Sequence, residues 1–297
     1  MPELPEVDTV ARELREGSAG RGPSVLGRVI KRVTVRWPRQ IARPAAHEIE
    51  DRLRGQQVLS VGRRGKVIVI GLTQDRLLVH LRMSGDLTVV PGDAPPDKHA
   101  HTVFHFEDGS ELRFSDTRKF GKVWVVLETD EVLGDLGPEP LDESFTPAVL
   151  AERLAARQRA LKPLLLDQTF LAGVGNIYAD EALHLAGLHP LRRSDTLSPR
   201  EVRGLWKALR QALMDGLARN GASIDWQYRG GQYQEVLRAY GRADRPCQRP
   251  GCTGTIRRIV VGQRSTHYCP VCQPLKGPGV DWVAAAARRT RRVLQRG

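Results

Sequence analysis

Two stretches of the sequence have the residue types to do chemistry. One is the N-terminus, Met1-Pro2-Glu3-Leu4-Pro5-Glu6; the other is a set of four cysteines confined to residues 247–272. A small residue at position 2 permits removal of Met1, and Pro2 then carries a free secondary amine beside Glu3. A free α-amine titrates near ~7.7–8.0, far below a lysine amine at ~10.4. Much of it is therefore neutral at cellular pH and able to attack an electrophilic carbon, giving a Schiff base. Glu3 can shuttle protons there if burial raises its pKa. The bland alternative is a disordered terminus whose two prolines only punctuate a helix start.

Cys247-x4-Cys252, sixteen residues, then Cys269-x2-Cys272 is a four-cysteine zinc pattern with a hairpin between the pairs. Four thiolates leave no open position, so the implied Zn2+ is structural rather than catalytic. The ribbon carries Arg245, Arg249, Arg257, Arg258, Arg264 and His267. Such a basic finger suits nucleic acid; a module for protein contacts is the alternative.

These residues need elements to position them. Residues 5–16 read as a helix, with Pro5 at a first helical position, Glu6 and Asp8 at the positive end of the dipole, and Val7, Val10, Ala11 and Leu14 in one stripe. It would hold Pro2 and Glu3 on a scaffold. From about residue 25 to 127 the pattern turns to eight short β-branched runs: Val29–Val35, Val58–Val61, Lys66–Leu72, Leu77–Leu81, Leu87–Val90, His101–Phe106, Glu111–Phe114 and Lys122–Val126. Asp108-Gly109 is a hairpin signal, residues 45–54 suggest one inserted helix, and the spacing implies a β-sandwich or barrel. Lys66 opens a very apolar strand and is either a proton donor or phosphate ligand, or by default a solvated edge charge. Met83 lies at a turn in His80-Leu81-Arg82-Met83-Ser84-Gly85, where core packing is the usual role. Asp116-Thr117-Arg118-Lys119-Phe120-Gly121 has the loop composition of a DNA contact, and apolar and Arg wedges are a device for extruding a base. His99, His101 and His105 alternate without a carboxylate cluster, which argues against a metal site. Gly134 to Pro140 reads as a linker. Helices follow at 147–156, Leu161–Leu166, from Asn176, and at 198–220, the last with a Ser198/Glu201 capping box. Gly173-Val174-Gly175-Asn176 feeds a helix N-terminus, a natural phosphate clamp.

The chain has 297 residues, a net charge of +12 and a sequence pI near 10.1, a balance that points to a polyanionic partner, although an Arg-rich proteome would also produce it. No run approaches the ~18 apolar residues of a membrane span, and no basic-then-apolar leader is evident, so a cytoplasmic protein is expected. In that reducing compartment the clustered cysteines argue for metal over disulfides.

With these motifs in order, the chain resembles the formamidopyrimidine-DNA glycosylase family and its endonuclease VIII relatives. The resemblance runs from residue 1 to about residue 275, through PELPEV at the N-terminus, RRGK at 63–66, HLRMSG at 80–85, DTRKFG at 116–121, GVGNIYADEAL at 173–183, AYGR at 239–242 and QRSTHYC at 263–269. It implies an α+β, multidomain fold: an N-terminal β-sandwich with an N-terminal helix, and a C-terminal helix–two-turns–helix domain with a zinc-ribbon hairpin, with DNA in the cleft between. The expected division is 1–130 catalytic sandwich, 131–146 linker, 147–235 helical DNA-binding domain, 236–275 zinc finger and 276–297 basic tail. It implies Pro2 as nucleophile at the sugar C1′, Glu3 as acid/base, Glu6 in support, Lys66 in base release or β-elimination, and Arg264 on flanking phosphates and in δ-elimination. Met83, Arg118 and Phe120 would fill the gap left by an extruded nucleotide. His99, Asn176 and one of Arg157 and Arg159 would hold phosphates. One structural Zn2+ on Cys247, Cys252, Cys269 and Cys272, double-stranded DNA with oxidised bases or abasic sites as partner, and a monomer are implied.

The implied activity is a bifunctional glycosylase and AP lyase of base excision repair acting on oxidised purines. A pyrimidine-lesion enzyme of the endonuclease VIII type is the alternative within the class, and a non-catalytic damage binder the alternative outside it. Departures from the family pattern are the x4 first cysteine pair, Arg82 where Gly is usual, a short loop between Gly221 and Tyr233, and an Arg-rich tail from Lys276 (Arg288, Arg289, Arg291, Arg292, Arg296).

Overall fold

A computed structural model of the chain describes residues 1–223 and 230–277. Residues 224–229 of the short loop between Gly221 and Tyr233, and the arginines of the tail, lie outside the described residues. The chain divides into two compact units: Met1–Asp135 with Gly216–Gln234, and Leu136–Asp215 with Glu235 onward.

The first unit begins with helix α1 (Leu4–Glu16), whose Val7, Val10, Ala11 and Leu14 enter the core as the 3.6-residue pattern predicts. Burial of Val7, Val10 and Leu14 contributes roughly 1.5–3 kcal/mol each. Two sheets follow. The first has four strands, β1 (Ile30–Val35), β7 (Ala100–Phe106), β8 (Ser110–Asp116) and β6 (Gly85–Pro91), in the order β1-β7-β8-β6. The second has five, β2 (Ile41–Arg43), β9 (Lys122–Val126), β5 (Arg76–His80), β4 (Val67–Leu72) and β3 (Val58–Arg64), in the order β2-β9-β5-β4-β3. All pairs are antiparallel except β2 with β9. One apolar cluster joins both sheets and α1, drawing Ile68, Ile70, Leu77 and Val79 from one sheet and Leu87, Phe104 and Phe114 from the other.

The eight expected runs are all strands, with ends moved by a few residues. β2 was not expected. It is three residues long, follows Pro38, and pairs in parallel, so it has no alternation to read. The helix expected over 45–54 shrinks to α2 (Ile49–Leu53), because Pro44 and the turn after it occupy its first part.

In the second unit, α4 (Pro147–Ala155), α5 (Leu161–Leu165), α6 (Asn176–Ala186) and α7 (Pro199–Leu217) follow the expected helices. A short α3 (Asp130–Leu133) precedes them, in the first unit, within the stretch read as linker. A hairpin of β10 (Arg257–Val261) and β11 (Arg264–Tyr268) lies between the cysteine pairs, joined by Gly262-Gln263. Both turn residues have positive φ, +56° and +63°, as a two-residue hairpin turn matched to strand twist requires. No helix among the described residues is long and apolar enough to cross a membrane.

Candidate active site and metal centre

The N-terminus is built in rather than loose. Pro2 is buried, and Glu3 is 3% exposed and caps α1. Glu6 Oε2 accepts the Glu3 backbone N–H at 2.8 Å, in a capping-box relation that also places two carboxylates at the positive end of the helix. The other oxygen of Glu6 accepts the Ala222 N–H at 2.7 Å. Gly221, at φ +77°, makes this approach possible, since a Cβ there would lie 2.5 Å from Glu6 Oε1. Arg12 donates to Asn220 Oδ1 at 2.6 Å on the next turn of the helix. One carboxylate thus fixes both the residue that follows Pro2 and the chain at 221–222.

Lys66 is the second residue of the two-residue turn Gly65-Lys66 between β3 and β4, with Gly65 at φ +57°. It is 6% exposed, so it is not the solvated edge charge that its sequence context allows by default. Strands β3 and β4 pack on α1, and Arg63 Nε on β3 meets Asp8 Oδ1 on α1 at 3.0 Å. The amine-bearing helix and the lysine turn are therefore parts of one packed layer.

Met83 lies in the turn 81–84 between β5 and β6. Arg82 adopts φ +54°, the left-handed region that favours glycine. The His80 ring nitrogen Nδ1 accepts the Arg82 N–H at 3.0 Å. Burial, with Arg82 and Lys66 nearby, pushes His80 down to about 3, so its ring stays neutral and keeps Nδ1 as an acceptor. The loop 116–121 is coupled to this turn by Asp116, which is fully buried. Its carboxylate accepts from the Ser84 hydroxyl, from Arg118 N at 3.1 Å and from Gly121 N at 2.7 Å, while Ser84 Oγ also accepts from Arg118 N at 3.1 Å. The Arg118 guanidinium lies 5.0 Å from the Phe120 ring centroid, and Phe120 is 51% exposed. A cation stacked on an exposed aromatic, next to a methionine turn, presents a wedge-shaped edge. His99 leads into β7, and its carbonyl accepts the Asp116 N–H at 2.9 Å. Asp116 and Ser84 were not read as functional from sequence, although both stand in the quoted motifs. Asp116→Ala leaves two buried donors, the Gly121 N–H and the Ser84 hydroxyl, without their acceptor, at roughly 1–3 kcal/mol each. The expected outcome is a lower melting temperature and weaker binding to abasic-site DNA with zinc content unchanged, measured by thermal unfolding, fluorescence anisotropy and metal analysis.

The second unit gathers the other candidates. Asn176 is the first residue of α6, after a Gly173–Gly175 turn shaped by Gln168, which accepts from Gly173 N at 2.9 Å and donates to the Val174 carbonyl at 2.9 Å. Its Oδ1 is buried without a partner among the described residues. Arg157 is exposed, whereas Arg159 is paired with Asp167 at 2.7 Å, so Arg157 is the better placed of the two for an external anion. Arg264 is exposed at the hairpin tip, first in β11.

One group that sequence reasoning missed ties these pieces together. Asp180 and Lys162 form an ion pair at 2.5 Å with both side chains fully buried. Lys162 also donates to the Asn176 carbonyl at 2.8 Å. The second Asp180 oxygen accepts the His267 N–H at 2.9 Å and lies 3.1 Å from His267 Nδ1. So the middle of α6 holds β11, the strand that begins with Arg264, and Lys162 holds the start of α6, where Asn176 sits. Next to it, the Glu181 carboxylate accepts the N–H groups of Arg238, Ala239 and Tyr240 at 2.8, 2.8 and 2.9 Å, anchoring the chain that leads into the ribbon. The signal available was two adjacent acids on a helix face otherwise made of Tyr178, Ala179, Ala182 and Leu183, all buried.

Cys247, Cys252, Cys269 and Cys272 converge, with their four sulfurs within 4.8 Å of one another. The Cys247–Cys272 and Cys252–Cys269 Sγ separations are 3.8 and 3.6 Å. Four thiolates at ~2.3 Å from one Zn2+ in a tetrahedron stand ~3.8 Å apart, so the donor set fits zinc as it stands. The x4 spacing of the first pair removes no ligand. Gly254 is required in the knuckle, because a Cβ there would lie 2.5 Å from Cys269 Sγ.

Three family models match. That described as "Formamidopyrimidine-DNA glycosylase N-terminal domain" covers residues 1–123, the "Formamidopyrimidine-DNA glycosylase H2TH domain" covers 136–227, and the "Zinc finger found in FPG and IleRS" covers 245–275. The formamidopyrimidine-DNA glycosylase of Pelotomaculum thermopropionicum is 43% identical over 286 residues, spanning 93% of this chain and 100% of the relative. That of Chloroflexus aggregans is 45% identical, spanning 93% and 99%. The solved complex of Lactococcus lactis Fpg with FAPY-dG-containing DNA has a TM-score of 0.82 at 35% identity, covering 92% of this chain and 100% of the other. The structure of MutM with DNA containing carbocyclic 8-oxo-G gives 0.83 at 34%, with the same coverage.

Proposed function

The chain belongs to the formamidopyrimidine-DNA glycosylase family, and from that premise we propose a bifunctional DNA glycosylase and AP lyase that removes oxidised purines in base excision repair. The observation that carries the reading is the buried Pro2-Glu3 pair fixed by Glu6 on α1, in one layer with the Lys66 turn. Once Met1 is removed, the Pro2 nitrogen attacks C1′ of the damaged nucleotide. The C1′–N bond breaks, its electron pair leaves with the base, and Glu3 protonates O4′ as the sugar ring opens. The nitrogen gives up its one N–H proton to the departing base, and its lone pair forms the iminium ion as the C1′–O4′ bond breaks; a secondary amine then has no second proton to lose, so the cation persists. That cation acidifies the C2′ hydrogen, so the 3′ phosphate is expelled by β-elimination and the 5′ phosphate by δ-elimination. Lys66 serves base release or β-elimination, and Arg264 serves the departing phosphate. Met83, Arg118 and Phe120 fill the gap in the duplex, Arg118 facing the orphaned base. His99, Asn176 and Arg157 hold backbone phosphates. Zn2+ shapes the ribbon that carries Arg264 and takes no part in a step. The protein acts as a monomer in the cytoplasm, where chromosomal DNA lies.

Borohydride trapping on two duplexes tests this reading. One duplex carries 8-oxoguanine opposite cytosine and the other a plain abasic site. A reduced protein–DNA adduct on both is expected. An adduct on the abasic duplex alone keeps the lyase and moves the lesion to oxidised pyrimidines. No adduct on either, with binding intact, leaves a damage binder.

A further inference from the structure

His184 is on the third turn of α6, 2% exposed, and neither the proposed reaction nor the family motifs use it. Its Nε2 lies 3.2 Å from Cys247 Sγ and 4.0 Å from Cys272 Sγ. Its Nδ1 is buried with no hydrogen-bond partner among the described residues. Around it, α6 and the first knuckle are pinned together. Arg249 donates from Nη2 to the carbonyls of His184 and, at 3.1 Å, Leu185. Gly187 ends the helix at φ +67°, where a Cβ would come within 3.2 Å of the Cys272 carbonyl.

The tautomer follows from these neighbours. A hydrogen on Nδ1 would be a buried N–H with no acceptor, and would leave the Nε2 lone pair facing a thiolate. A hydrogen on Nε2 gives a charge-assisted N–H···S bond and leaves only an acceptor unpaired, which costs less. Four thiolates on Zn2+ carry a net charge of −2 and complete the tetrahedron, so the imidazole works from outside it. Gly254 N–H does the same for Cys252 Sγ, at 3.4 Å.

We propose that His184 is a positioning residue of the zinc centre: its Nε2–H hydrogen bond to the Cys247 thiolate draws off negative charge, orients the first knuckle and retains the metal. The inference rests on the zinc site and is independent of the lesion chemistry.

The test uses the full-length zinc-loaded protein, with His184→Phe, which keeps an aromatic ring but has no donor, and His184→Gln, which returns an N–H at similar reach. Loss of an outer-sphere partner typically costs 10–100-fold in metal affinity. Zinc release to a colorimetric chelator is therefore expected to be on the order of tenfold faster in His184→Phe and near wild type in His184→Gln. In the Co2+-substituted proteins, loss of the hydrogen bond raises the sulfur lone pair. The thiolate-to-cobalt absorption should move to lower energy in His184→Phe with its intensity kept, a shift that a packing role would not produce. Should Phe disturb the fold, Met supplies a flexible apolar side chain without an N–H. Equal release rates and an unmoved band in a folded donor-free variant would overturn the proposal. A change in band intensity would also overturn it, because the imidazole would then be a ligand.

Discussion

A protein with one lysine inserted between Met1 and Pro2 should give no borohydride adduct on abasic DNA, a loss on the order of 10³-fold or more, as expected when a covalent nucleophile is removed. A lysine after the initiator methionine prevents its removal, so the Pro2 nitrogen stays in a peptide bond. Its lone pair is then delocalised into the preceding carbonyl and is no longer nucleophilic. Pro2 is buried but Met1 is 36% exposed, so the extra residue has somewhere to go without displacing Glu3 or Glu6. Abasic-site DNA binding and thermal stability should therefore stay close to wild type while the covalent step is lost. An adduct that persists would name another amine as nucleophile, and the buried Lys66 would be the first candidate.

The second large effect concerns stability. Asp180→Ala should destabilise the protein by roughly 3–5 kcal/mol, the usual cost of removing one partner of a buried ion pair. The Lys162 ammonium would keep only the Asn176 carbonyl, and the His267 N–H would lose its acceptor. In thermal unfolding this corresponds to a fall on the order of 10 °C. The paired variant Lys162→Met/Asp180→Leu should regain the part of the loss that comes from the unpaired charge, since apolar groups of similar volume can replace a buried ion pair at little cost, but not the roughly 1–3 kcal/mol of the His267 N–H, which still lacks an acceptor. An Asp180→Ala protein within about 1 kcal/mol of wild type would show that water or a rearranged Lys162 already solvates the site. Because Asp180 ties β11 to α6, the single variant should also weaken DNA binding through Arg264 and Asn176, neither of which it touches.

Elements with a strong pattern were legible in the sequence: α1, the eight short β-branched runs and the long amphipathic α7. β2 and α3 were not, because three and four residues carry no period to detect. The chemical residues were legible for a different reason. Four thiols at zinc spacing have few other uses, so type and spacing suffice; a proline amine beside a glutamate also has a bland reading and becomes a candidate only with the later motifs. Asp116, Asp180 and His184 escaped because each is tied to partners far along the chain: Ser84 for the first, Lys162 and His267 for the second, Cys247 for the third. Nothing local separates such a buried acid from an ordinary helix or loop carboxylate. Lys66 is the intermediate case. Its place beside an apolar strand was legible, but its burial depends on the packing of β3 and β4 on α1.

The hydrogen bond from Ala222 to Glu6 bears on how this protein can be cut. Residues 1–135 look like a self-standing piece of sequence, yet the unit they build is finished by residues 216–234, delivered some eighty positions later. A truncation after residue 135 would strip Glu6 of the Ala222 N–H. It would also strip Arg12 of Asn220. A chimera exchanged at that single junction would set one parent's Glu6 against another parent's turn, where anything larger than Gly221 collides with it. Grafting the first unit onto a relative therefore needs three joints, after 135, after 215 and after 234, so that Pro2 and Glu6 travel with the turn that Glu6 binds.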